Sequence, residues 1–221
     1  IQILDHHVAV VIQNGFARTE VTQVFFNPNP QPLEAIYAFP IPASASLSEV
    51  TIQAGERTIE GEVLTREEAE RLYGEAKRSG EDAGLATKSG IQSFEFRVFP
   101  VPPQAQTRVR FLYYQPIEID TGVGRYLYPL EEGGTDELAK SFWLRNDVVE
   151  GSFSLEAVVE SAWPIDELRI PGFENEARVE DLGGGRRRVR IERTGASLSR
   201  DFVLYYRLAD GLPGRVEVVP Y

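Results

Sequence analysis

The 221-residue sequence contains no cysteine, no methionine and only two histidines. The absence of cysteine excludes disulfides, thiolate metal sites and a cysteine nucleophile. It is equally compatible with the cytosol and with the bacterial periplasm. Hydrophobic runs are short, and none approaches the roughly 20 apolar residues that a membrane-spanning helix needs. The given sequence contains no segment with the pattern that predicts a signal peptide. Because the chain begins Ile-Gln-Ile and lacks methionine, we expect it to be a mature or excised piece of a longer protein.

Basic residues are scarce relative to acidic ones. The chain contains 23 Lys and Arg and 34 Asp and Glu, which gives a formal net charge of −11 and a pI of about 4.8. An acidic chain repels phosphate backbones, so nucleic acid is not an expected partner. The negative charge otherwise favours solubility.

Strand-forming patterns dominate what is present. Aromatic residues make up 10% of the chain, which favours strands over helices. Val24, Phe25 and Phe26 are consecutive, which predicts either two covered faces or a bulge near the end of their strand. Strands are predicted at 8–12, 16–26, 35–39, 50–53, 57–63, 94–98, 108–111, 125–130, 153–159, 187–191 and 202–208. The pattern predicts a mainly antiparallel β-sandwich.

One amphipathic α-helix is predicted at about residues 65–79. Thr65 and Glu68 form a capping box at its start, and Gly80 is suited to the turn that ends it. Its apolar positions follow helical spacing and form one stripe: Ala69, Leu72, Tyr73 and Ala76. We expect this stripe to pack on a sheet.

Composition changes after residue 130. The stretch from Glu131 to Glu137 is acidic and contains two glycines, as a flexible boundary would. We therefore predict one domain at 1–130 and a strand-rich extension at 131–221.

Three ordered segments resemble a known family. They read NGFARTEVTQVFFNPNPQPLEAIYAFPIP, then IEGEVLTREEAERLYGEAKRSG, then FEFRVFPVPPQAQTRVRFLYYQPI. Together they resemble the VIT domain, the vault protein inter-alpha-trypsin module, over roughly residues 1–130. The later segment LSRDFVLYYRLA resembles the strand that often joins a VIT domain to a following von Willebrand factor A domain.

The resemblance implies interaction or scaffolding and supplies no catalytic residues. The family occurs in secreted heavy chains of plasma protease-inhibitor complexes, in vault-associated poly(ADP-ribose) polymerases and in bacterial envelope proteins. A periplasmic, cell-surface or secreted location is therefore favoured. The implied partner is an adjacent von Willebrand factor A domain, whose metal loop reads Asp-x-Ser-x-Ser. No such triplet occurs here, so we assign neither a metal nor a cofactor.

Other clusters do not predict a chemical site. His6 and His7 are adjacent on a strand and point to opposite faces, so they cannot easily bind one ion together. The acidic stretch after residue 130 lacks the spacing of a hand-type calcium loop. Gly183 to Gly185 are not followed by the residues of a phosphate loop. Arg186 to Arg188 are interpreted as a solvated strand edge.

Two functions are kept for testing. The first is a non-enzymatic interaction module, with binding on one of two loops. One loop, Asn27 to Pro32, is stiffened by prolines and offers the amides of Asn27 and Asn29. The other, Ser79 to Gly90, contains Lys88 and is expected to be mobile. The alternative is a carbohydrate-binding or carbohydrate-acting β-sandwich, which an exposed Trp143 or Trp163 beside a carboxylate cleft would favour.

Overall fold

The computed structural model describes residues 1–13, 15–60, 83–89, 93–130 and 148–209, with the backbone alone at 35–38, 60, 83–89 and 93–99. These residues form fifteen strands: β1 Gln2–Gln13, β2 Phe16–Phe26, β3 Leu33–Pro40, β4 Ser46–Ala54, β5 Arg57–Glu60, β6 Ala83–Ser89, β7 Ser93–Val101, β8 Gln106–Pro116, β9 Ile119–Asp120, β10 Val123–Tyr128, β11 Ser152–Glu160, β12 Ile165–Arg169, β13 Arg178–Gly183, β14 Arg186–Thr194 and β15 Phe202–Leu208. The mainly β prediction is confirmed.

The strands form three sheets. An eight-stranded sheet has the order β13-β14-β11-β1-β2-β8-β4-β5, a four-stranded sheet has the order β12-β15-β10-β9, and a three-stranded sheet has the order β3-β7-β6. The paired strands are antiparallel except for β1 and β11, which run parallel. Since β1 and β11 lie on opposite sides of residue 130, strands from both predicted parts share one sheet. The division at residue 130 stays a prediction.

Alternating side chains explain why these strands pack face to face. In β11 and β15 every second residue is buried, as expected for strands with one face on a core. The inner face of the eight-stranded sheet packs on both smaller sheets. Phe111 of β8 stacks on Phe39 of β3 at 4.0 Å between ring centroids. Tyr126 of β10 bonds Thr19 of β2 through their hydroxyl groups, at 2.9 Å. The result is one continuous apolar core between the layers.

At the end of β2 both faces are covered, which is one of the two alternatives expected, and the irregularity lies in the partner strand β1. Val24 and Phe25 are each only 5% exposed although they point to opposite faces. The pairing of β1 with β2 shifts between Ile3 and Asp5, opposite the same residues. A tight turn joins β4 to β5, with Gly55 at a φ of +63°, a conformation that glycine adopts without steric cost.

The loop predicted at 79–90 is wrong over most of its length. Residues 83–89 form β6, which pairs antiparallel with β7 from Ala83 opposite Phe99 to Ser89 opposite Ser93. The small residues of this segment have weak β-propensity, and ladder pairing with β7 overrides it. The helix predicted at 65–79 and the acidic stretch at 131–137 lie outside the described residues. Among the described residues, none belongs to a helix long and apolar enough to span a membrane.

Candidate functional site

A groove of about 390 Å³ lies on the outer face of the four-stranded sheet. Its lining residues come from β10, β15, β12 and the turn after β12: Val123, Glu167, Arg169, Pro171, Tyr205 and Arg207. We call it the outer groove. Strand alternation places it there, because Phe202, Leu204 and Tyr206 of β15 point into the core. The residues between them must point outward.

Strand register sets the rows of side chains across this face. Val123 lies opposite Arg207, and Arg125 lies opposite Tyr205, on the paired strands β10 and β15. On the other side of β15, Arg169 of β12 also lies opposite Tyr205. Directly opposed residues of an antiparallel pair share a face. The phenol ring of Tyr205 is therefore flanked by an arginine on each neighbouring strand.

Ion pairs occupy one side of the outer groove. Arg169 Nε lies 2.6 Å from Glu167 Oε1, and Arg207 contacts both Asp166 Oδ2 at 2.9 Å and Glu167 Oε2 at 3.6 Å. The hydrogen bond from Arg169 lowers the pKa of the Glu167 carboxyl below its ordinary value. In contrast, Arg125 is exposed and has no hydrogen bond or ion pair to any residue that the structure describes. Arg169 and Arg207 of the groove are thus ion-paired beside the ring of Tyr205, whereas Arg125, on the same face, has no such partner among the described residues.

The lining of the outer groove suits binding. Among the described residues that line it there is no serine, cysteine or histidine that could act as a nucleophile. A guanidinium can donate hydrogen bonds to an anion, and an aromatic ring beside it offers an apolar surface. Sequence analysis did not find this site, although the alternation of 202–208 carried the signal: once one face is assigned to the core, the other must present Val203, Tyr205 and Arg207.

The buried side-chain amide of Asn27 holds the backbone of the predicted proline loop through hydrogen bonds. Its side chain is fully buried. The Nδ2 atom donates to the carbonyl oxygens of Gln31, Val101 and Pro102 at 3.1–3.3 Å. The Oδ1 atom accepts bonds from the backbone N–H and the side-chain amide of Asn29, both at 3.0 Å. The groups that a partner could contact are therefore Asn29 and the exposed prolines, and a binding role for this loop stays a prediction.

The segment at Gln104 and Ala105 supports the proline loop through backbone hydrogen bonds. Asn27 N–H donates to the carbonyl of Ala105, and Gln104 N–H donates to the carbonyl of Asn29, each at 3.1 Å. Gln104 adopts a φ of +49°, which is uncommon for a residue other than glycine. The backbone of the proline loop is thus bonded to residues 104–105 at both Asn27 and Asn29. Lys88 lies elsewhere, in β6 at the edge of the three-stranded sheet, opposite Phe94.

The two histidines point to opposite faces of β1, as predicted. The His6 ring is 2% exposed, and its Nε2 and Nδ1 atoms contact the Tyr128 hydroxyl at 2.8 Å and Gln23 Nε2 at 2.9 Å. Burial lowers the pKa of His6 to about 3. His7 Nδ1 lies 2.8 Å from Ser154 Oγ on β11. Each imidazole therefore has protein partners of its own.

The arginine cluster at 186–188 is not at a sheet edge, which corrects the sequence interpretation. It lies in β14, which is covered by β13 on one side and β11 on the other. Arg187 pairs with Asp181 at 3.3 Å, and Arg188 pairs with Glu180 at 3.3 Å. The edge strand is β13 instead, because the turn at Gly184 joins β13 to β14 and lets the two strands pair.

Trp163 is not presented to a carbohydrate ligand. The indole is partly buried against the core, and its Nε1–H donates to the carbonyl of Ala209 at 3.0 Å. Trp143 lies outside the described residues. The observation proposed for a sugar-binding surface is therefore not met at Trp163.

The sequence matches a known family and several known proteins over part of its length. The model of the vault protein inter-alpha-trypsin domain matches residues 3–113, half of the chain. Human protein mono-ADP-ribosyltransferase PARP4 is 29% identical over 57% of the chain. A von Willebrand factor A domain-containing protein of Dictyostelium discoideum is 28% identical, also over 57%. The matched regions span only 7% and 15% of these relatives.

A solved structure shares the fold over more of the chain. It is described as a nutrient-binding protein of Legionella pneumophila, and it superposes with a TM-score of 0.53 over 93% of this chain and 66% of its own. At 13% sequence identity the similarity concerns the fold alone. With half of its residues matched by the family model, the chain belongs to the vault protein inter-alpha-trypsin (VIT) domain family.

Proposed function

We propose that the chain is a non-enzymatic interaction module of a larger protein that also contains a von Willebrand factor A domain. The proposal includes a location at the cell envelope or outside the cell. Family membership supports it, as does a relative named for its von Willebrand factor A domain. The whole protein's partners and location are part of the proposal.

The proline loop carries the proposal. Its exposed tip is formed by Pro28, Asn29 and Pro30, while buried Asn27 fixes the backbone beneath. A loop held in one conformation loses little entropy when a partner binds, so more of the contact free energy appears as affinity. Loops on a rigid β scaffold are where binding residues commonly lie.

Calorimetric titration tests the proposal. The chain is titrated with the von Willebrand factor A domain encoded by the same gene, first unaltered and then with Asn29→Ala and Pro30→Ala together. The matched control carries Asn175→Ala and Pro164→Ala, which change the same residue types at exposed positions elsewhere. We expect saturable binding that the loop variant weakens and the control leaves unchanged.

Two results would contradict the proposal at different levels. A gene without a von Willebrand factor A domain, or a titration without heat of binding, would remove the proposed partner. Equal affinity of the loop variant and the control would remove the proline loop as the contact surface. Fractionation of the source cells tests the location separately, and recovery in the cytosol alone would refute it.

A further inference from the structure

The strand β13 ends the eight-stranded sheet and is exposed over most of its length. β14 pairs with one side of it, and no strand that the structure describes pairs with the other side. Residues Arg178 to Asp181 are all exposed and pair with β14 in regular register, which shifts only beyond Asp181. Alternate residues of an edge strand direct their backbone N–H and C=O groups away from the sheet. This edge can therefore accept another strand.

The two faces of β13 follow from its register with β14. Val179 lies opposite Val189, which is fully buried in the core, so Val179 points to the inner side of the sheet. It is nonetheless 48% exposed, and it borders a cleft of about 180 Å³ between β12 and the hairpin of β13 and β14. Arg178 and Glu180, on either side of it, point to the outer face. The edge thus carries an exposed apolar residue between two opposite charges.

The guanidinium of Arg178 lacks a counterion in the part of the chain that the structure describes. Its cross-strand neighbour is Arg190, a like charge that pairs with Glu156 at 2.7 Å. Arg178 itself has no hydrogen bond or ion pair to any described residue. Glu180 contacts Arg188 through Oε2 at 3.3 Å, and a carboxylate has acceptor sites for more than one donor. A carboxylate placed across the edge would serve Arg178 as its counterion.

Symmetry restricts how two copies of β13 can pair. When a two-fold axis relates antiparallel strands, one residue lies opposite its own copy, and the residues before and after it lie opposite each other. An axis at Arg178, Glu180 or Asp181 puts two like charges face to face, which is destabilising. An axis at Val179 puts Val179 against its copy and forms the pair of Arg178 with Glu180 twice. Among the regular positions of β13, this register alone avoids opposing like charges at the axis.

We propose that β13 pairs with the β13 of a second copy of this chain, antiparallel and centred on Val179. The two eight-stranded sheets then form one continuous sheet. Each Arg178 meets the Glu180 of the other copy, and the two Val179 side chains pack together. A strand of another protein would need the same arrangement of charges, which this chain's own β13 already has. The inference is independent of the proline loop and of a von Willebrand factor A domain.

Analytical ultracentrifugation of the full chain tests the inference through charge reversal. Arg178→Glu and Glu180→Arg each place like charges opposite one another when identical copies pair. A mixture of these two single variants restores opposite charges at both contacts, and the double variant restores them with its own copy. Val179→Lys places two cations at the axis. The matched controls are Arg125→Glu, on the four-stranded sheet, and Val148→Lys, since Val148 is 47% exposed and lies outside β13.

We expect the unaltered chain to dimerise reversibly as its concentration rises, and weakly, because pairing along one short edge buries little area. Amide hydrogens at 178–181 should exchange more slowly in the dimer. Each single charge reversal, and Val179→Lys, should weaken dimerisation by about tenfold or more. The mixture and the double variant should dimerise within about threefold of the unaltered chain, as should both controls. Melting temperatures check that every variant is folded.

Four results would overturn the inference. A chain that stays monomeric at the highest attainable concentration would leave this edge to a strand of another protein. Single charge reversals that dimerise like the unaltered chain would place the contact elsewhere. A mixture of folded Arg178→Glu and Glu180→Arg that stays monomeric would show that these two side chains do not meet. Equal weakening by the controls would show that the effect does not depend on β13.

Discussion

His6 Nε2 lies 2.8 Å from the hydroxyl oxygen of Tyr128, and this contact joins the eight-stranded sheet to the four-stranded sheet through the core. On the other side of the ring, Gln23 Nε2 donates to His6 Nδ1 at 2.9 Å. With Nδ1 accepting, Nε2 carries the proton and donates to Tyr128. The buried imidazole is therefore neutral, and a second proton would oppose the amide N–H of Gln23.

Stability should fall with acid because His6 is buried neutral. Its pKa is about 3 in the folded protein against 6.5 ordinarily. Between these values the unfolded chain binds a proton that the folded chain does not, so stability falls as pH drops below about 6.5, by about 1.4 kcal/mol per unit. Urea unfolding should show about 2 kcal/mol lost between pH 6.5 and 5, a range above the ordinary pKa of carboxyl groups. His6→Gln should flatten this slope, and equal slopes would contradict the assignment.

Gly124 should tolerate no side chain. A Cβ at this position would lie 2.2 Å from Cζ of the Tyr206 ring, which packs directly over the glycine. We expect Gly124→Ala to destabilise the fold by about 1–3 kcal/mol, as overpacking of a core does. Thermal unfolding measures the effect. Adding Tyr206→Leu should recover part of the loss, and a double variant no better than the sum of both changes would refute this reason.

Replacing Asn27 should destabilise the protein much more than replacing Asn29. Asn27→Ala removes the partner of three carbonyls and two donors in the proline loop. Since buried polar groups are then left unpaired, we expect a loss of about 2–4 kcal/mol in urea unfolding. Asn29→Ala changes an exposed side chain, and its effect should stay below about 1 kcal/mol. Similar losses for both variants would mean that Asn27 does not hold the loop.

Asp5 should stabilise the parallel pairing of β1 and β11. Its Oδ1 atom accepts bonds from the Ser152 hydroxyl at 2.6 Å and from the Ser152 backbone N–H at 3.1 Å. The hydroxyl bond is the largest cause of the lowered pKa of Asp5. Asp5→Ala should cost about 1–2 kcal/mol and speed amide hydrogen exchange in β11. Asp5→Asn keeps an acceptor and should cost less; an equal cost would contradict the role of this oxygen.

Local patterns predicted some elements to the residue and failed on others. The bounds of β2 at Phe16 and Phe26 were predicted because a run of strand-forming residues and the proline-rich loop that follows it are local signals. The strand β6 was missed because small residues at 83–89 form a strand only when β7 supplies the pairing. The burial of Asn27 was missed for a similar reason, since its carbonyl partners Val101 and Pro102 come from a distant segment.

The sequence by itself determined the strand-rich class, the family and which residues of most strands share a face, because alternation and turn chemistry act over a few residues. Only the tertiary structure decided which strands are neighbours. The parallel pairing of β1 with β11 and the placement of Tyr205 between Arg125 and Arg169 both join distant segments. Such contacts depend on how three sheets cover one shared core, and an alternating pattern does not specify its partner strand.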